Sequence, residues 1–73
     1  MRPTTMSYLL RLDLDLIRRN LASKTSAAVT DDDVYRLLTQ RGVWRHSDDW
    51  WGASEPAVSH FIEGEIVEKV RRD

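Results

Sequence analysis

Apolar residues fall into four stretches, and the first of them, 7–24, satisfies two periods at once. At helical spacing Leu10, Leu14, Ile17 and Leu21 form one stripe, while Tyr8, Leu9, Leu12 and Leu16 form a second on nearly the opposite side. Arg11 and Arg18 share the polar flank between them. At strand spacing Tyr8, Leu10, Leu12, Leu14 and Leu16 alternate with Leu9, Arg11, Asp13, Asp15 and Ile17. Propensity favours the helix: leucine and arginine are good helix formers, the stretch holds no valine or threonine, and aspartate is depleted from strands. The run 22–30, with its serines, threonines and paired alanines, lacks bulky anchors and reads as a connection or frayed helix end.

The second stretch has the clearest start signal in the chain. Thr30 suits an N-cap, Asp33 follows three residues later, and Asp31 and Asp32 occupy a first turn where the helix dipole favours anions. Val34, Leu37 and Leu38 give the i, i+3, i+4 face, Tyr35 widens it, and Gly42 supplies the stop after Gln40. In the third stretch, Val43 to His46 and Trp50 to Ala53 flank the polar turn Ser47, Asp48 and Asp49, a pattern that predicts a β-hairpin. Such a hairpin is marginal alone and needs helices to lie against, with its tryptophans as the contact.

The fourth stretch opens at Ser54 as N-cap, with Glu55 and Pro56 in the first turn. Val58, Ile62, Ile66 and Val70 recur every four residues beside Phe61, which favours a C-terminal helix ending in Lys69, Arg71 and Arg72. Glu63-Gly64 at the centre of a hairpin is the competing pattern, and Gly64 inside a helix costs about 1 kcal/mol relative to alanine. The expected fold is therefore mainly α: two or three helices with a short Trp-containing β-hairpin between the second and the last. The alternative is α+β, with 8–17 a strand and 57–70 a hairpin. Residues 1–6 are expected to be a flexible N-terminus and 7–73 a single small domain.

A chain of 73 residues with 41% hydrophobic content has room for one core. Chains of this size bury only about 60% of the surface their unfolded form exposes, and many depend on a staple or a partner. There is no cysteine, so disulfides, thiolate metal sites and a cysteine nucleophile are excluded, nothing implies an oxidising compartment, and a cytoplasmic location is expected. The stretch 8–21 is broken by five charged residues, which argues against a membrane span. No apolar h-region follows Met1 and Arg2, so no secretory signal is expected, and Met6 offers an alternative start. Eleven basic and twelve acidic residues give a net charge of −1. Five basic and two acidic residues lie in 1–29 against six and ten in 30–73, so the parts carry +3 and −4. That split suits packing within the domain as well as steering of a partner.

His46, Asp48, Asp49 and His60 are the only set that resembles a hydrolytic or metal site, but the histidines lie fourteen apart rather than one helical turn apart. The chain carries no phosphate-binding glycine loop, nucleophile elbow or His-Glu-x-x-His. No enzyme activity, metal or cofactor is expected. Trp44, Trp50 and Trp51 cannot all face one small core from a hairpin, so one is expected at the surface beside Arg41 and Arg45, as a protein hot spot or a base-stacking platform. The second stripe of 7–24, Tyr8, Leu9, Leu12 and Leu16, needs a cover, which points to a homodimer or a partner helix.

A helix over 30–40 followed by a hairpin over 43–53 resembles the recognition helix and wing of winged-helix proteins. The resemblance covers about a third of the chain and implies nucleic-acid binding, against which Asp31, Asp32 and Asp33 would point three carboxylates at the phosphates. The function expected is a non-enzymatic protein–protein interaction or regulatory module, self-association included, with nucleic-acid binding as the alternative and no membrane contact.

Overall fold

Asp13 divides the first apolar stretch into a strand and a helix. In the computed structural model, which describes residues 7–72, β1 spans Ser7–Leu12 and α1 spans Leu14–Ala22. The Asp13 carboxylate accepts a hydrogen bond from Leu16 N at 3.0 Å, so this residue is the N-cap that turns the strand into the helix. Both periods in the sequence are thus real, each over its own half. Tyr8, Leu10 and Leu12 point to the helix-covered side of the sheet, and Leu14 and Ile17 complete the same core from α1.

Helix α2, Asp31–Gln40, starts as the sequence predicts. Thr30 N donates to Asp33 Oδ2 at 2.9 Å and Asp33 N donates to Thr30 Oγ1 at 3.3 Å, a closed capping box. The hairpin comes next, with β2 over Trp44–Ser47 and β3 over Trp50–Ser54. A single-turn helix α3, Glu55–Val58, leads to β4, Ile66–Arg72. The sheet order is β2-β3-β1-β4, antiparallel throughout, with α1 and α2 covering one face. Leu10, Ile17, Val34, Leu38, Val43, Trp51, Ala53 and Ala57 are the buried core.

The architecture is α+β, not the mainly α fold that propensity favours. Two elements account for the difference. The 7–24 stretch is not one helix, because β1 is held between β3 and β4 and hydrogen-bonds along both of its edges. The 54–70 stretch is not a helix either: α3 ends at Val58, and Gly64 adopts φ 93°, a left-handed conformation that a β-carbon disfavours and a helix does not use. The alternative topology also needs correction. The strand stops at Leu12 rather than at residue 17, and β4 pairs with β1 rather than folding back on 57–62. The 1–6 segment, expected to be flexible, and the alternative start at Met6 lie outside the described residues. No described helix is long and apolar enough to cross a membrane.

Candidate interaction surface

Alternation along the strands gives the sheet a second face that neither α1 nor α2 covers. The registers Trp44↔Gly52, Leu9↔Gly52 and Leu9↔Val70 line up one row across all four strands. Trp44 is 47% and Val70 44% exposed, and Leu9 is half-buried. Gly52 is required here: a β-carbon would collide with the Trp44 indole, which lies flat against the glycine backbone. The next row carries Trp50, with the Arg11 guanidinium 6.0 Å from its ring centroid, and Glu68, which pairs with Arg11 at 3.1 Å. Arg72 of β4 reaches His46 of β2, Nη1 to Nδ1 at 3.4 Å.

On the other side of the sheet, where α2 runs beside β2, lies a groove of about 470 Å³ lined by Tyr35, Thr39, Val43, Trp44, Arg45 and Trp51. Trp51 is almost fully buried. Its ring stacks on Tyr35 with centroids 6.0 Å apart, and the Arg45 guanidinium stands 5.1 Å from its centroid. Arg45 is fixed in turn by donating from Nε to Ser47 O at 3.2 Å and from Nη2 to Asp48 O at 3.1 Å. Tyr35 is 40% exposed and shares an α2 flank with Thr39, one turn on. The volume falls within the range of small-molecule pockets.

The residues singled out by sequence are therefore dispersed. Arg45 and Trp51 share the groove side and Trp44 borders the groove, but the Trp44 indole lies over Gly52 on the open face with Trp50 and Leu9. Tyr8 and Leu12 pack against the core, and Lys69 Nζ lies 5.1 Å from the Tyr8 ring centroid. Leu16 lies beside Gly64. The expected helical stripe of Tyr8, Leu9, Leu12 and Leu16 does not exist, because three of its members belong to a strand with side chains on alternate faces. Arg41 lies 5.3 Å from the Phe61 ring centroid, on the side of the domain where Glu65 is buried.

Glu65 is the one buried charged residue among those described, and its role is structural. Its oxygens accept from Asn20 Nδ2 and Ile62 N, both at 2.9 Å, and its carbonyl accepts from Asp13 N at 2.9 Å, so it ties the start of β4 to α1. Of the groove residues, Tyr35 was legible as widening the apolar face of α2 and Val43 as a hairpin residue, whereas Thr39 carried no signal. Among the described residues, no three His, Asp or Glu side chains gather where a metal ion could bind. The helix-hairpin pair that resembles a winged helix is present, but β3 is an interior strand of a four-stranded sheet rather than part of a projecting wing. Compared with known proteins, the chain matches no family model, no curated protein and no solved structure.

Proposed function

We propose that this chain is a non-enzymatic protein-interaction module that meets its partner at the β2 side of the domain, around Trp44, Tyr35 and Arg45. The observation that carries this is the aromatic groove beside β2, where one wall residue and the adjoining indole are each more than a third exposed while the floor, Trp51, is fixed in the core. Rigid aromatic residues of this kind, with an arginine beside them, dominate binding energy at protein interfaces. A photo-crosslinking amino acid placed at Tyr35, with one at Arg19 on the exposed side of α1 as control, tests it in cells. The expected result is a protein adduct at position 35 and not at 19. Equal adducts at both positions would sink the reading.

A second reading rests on the open face, where Trp44 and Trp50 stand with Arg11 and Arg72. Aromatic rings beside guanidinium groups stack on bases of single-stranded nucleic acid. The Arg11–Glu68 ion pair and the near-zero net charge weigh against it. Adducts with nucleic acid from a crosslinker at Val70 would favour this alternative.

A further inference from the structure

The chemistry of the β2 edge narrows the partner. β2 is the terminal strand of the sheet, all four of its residues are exposed, and no described strand pairs with its outer edge. Such an edge offers a row of main-chain donors and acceptors to an extended peptide. The groove lies directly beside it, so a strand added to β2 would turn every second side chain toward Trp51. The lining is apolar except for Thr39 and Arg45, and Arg45 is its single formal charge. The guanidinium donates to the neutral carbonyls of Ser47 and Asp48, and it forms no ion pair with any described residue.

Charge complementarity therefore calls for a carboxylate next to the apolar side chain. A second copy of this chain fits poorly: antiparallel β2–β2 pairing centred on either middle residue would set Arg45 or His46 against its own counterpart. The other sheet edge, β4, is longer and carries Lys69, Arg71 and Arg72.

We propose, building on the interaction-module reading, that β2 is extended by an acidic, extended segment of another protein. A large apolar side chain of that segment packs over Trp51 between Tyr35 and Val43, and a carboxylate two residues along, on the same face, meets Arg45.

The test is selection of a displayed random decapeptide library on the intact chain, and then hydrogen exchange with the enriched peptide bound. Enriched peptides should carry a large apolar and an acidic residue two positions apart, so that both face the groove. At a hundredfold excess over Kd, outward-facing amides of 44–47 should exchange up to about a hundredfold more slowly. Arg45→Glu should weaken the acidic peptides by about tenfold or more, and a library selected on that variant should turn basic. Should that variant not fold, the exchange pattern of the unaltered protein still decides. Failure to enrich any peptide, enrichment of basic peptides on the unaltered chain, or binding without protection of 44–47 would overturn the proposal. Binders that protect α2 around Tyr35 without 44–47 would overturn strand addition alone, and binders that map to Trp50 and Val70 would overturn the β2-side reading with it. Sedimentation as a dimer with 44–47 protected would assign the edge to a second copy and overturn it as well.

Discussion

Neighbouring residues on a strand are forced to opposite faces, and Trp50 and Trp51 are separated in this way. Trp51 closes the core while Trp50 sits on the uncovered face under Arg11, so adjacent, chemically identical side chains have unrelated roles. Gly52, next along, makes room for Trp44. Gly52→Ala should lift the indole off the sheet, shifting tryptophan emission to the red and lowering the thermal midpoint. An unchanged spectrum would show that the indole does not need the glycine. Leu10 has no exposed surface and touches helix and sheet alike. Leu10→Ala should cost about 2–5 kcal/mol, as large-to-small core changes do. That is a large share of the roughly 5–15 kcal/mol that holds a domain folded, and denaturant titration would read it directly.

Caps decide where the elements begin. The capping box of α2 holds the Asp33 carboxyl below its ordinary value of 3.8, first through the Thr30 backbone N–H, then through the Thr30 hydroxyl, with Arg36 adding a smaller Coulombic pull. A carboxyl whose pKa is lowered by folding stabilises the native state above its unfolded value and loses that contribution as pH falls through the folded one. Asp33→Asn should therefore lower stability near neutrality. The gap to the unaltered protein should narrow as pH drops below about 4, as pH-dependent denaturation would show. A gap that stays constant down to about pH 2 would mean that the carboxylate charge plays no part. At the other end of the chain, Ser54 begins α3 without a side-chain cap bond, and the helix lasts one turn.

At the scale of the whole molecule, β4 closes the fold by pairing with β1 from the opposite end of the chain, Ser7 opposite Arg72. Without it β1 would become an edge, Ile66 would leave the core, and the Glu65 contacts to Asp13 and Asn20 would be lost. Truncation after Gly64 should abolish the cooperative thermal transition rather than shift it, which near-ultraviolet circular dichroism would reveal. Binding draws on the same assembly. Trp44→Ala should leave that transition largely in place while reducing partner affinity by about thirtyfold, the effect of losing a hot-spot residue near 2 kcal/mol.

Local signals were sufficient for α2 and the hairpin. Thr30, Asp33 and Gly42 mark the helix, and the polar Ser47 to Asp49 turn between strand formers marks β2 and β3, because caps and turns are satisfied within a few residues of sequence. The two ends of the domain could not be read this way. In 7–24 both periods fit, and the choice fell to whether β1 would find partners on both edges, which depends on residues 50–54 and 66–72. The fourfold spacing of Val58, Ile62, Ile66 and Val70 imitates a helix, yet Ile66 packs with the core while Ile62 and Val70 are exposed. The groove is likewise a tertiary product. Trp44, Arg45 and Trp51 were legible as candidates one by one, but their meeting with Tyr35 and Thr39 required α2 to pack alongside an edge strand. Caps and turns are short-range bonds that a local sequence can specify. Sheet edges, faces and grooves arise from pairing between distant segments, and those the folded chain alone decides.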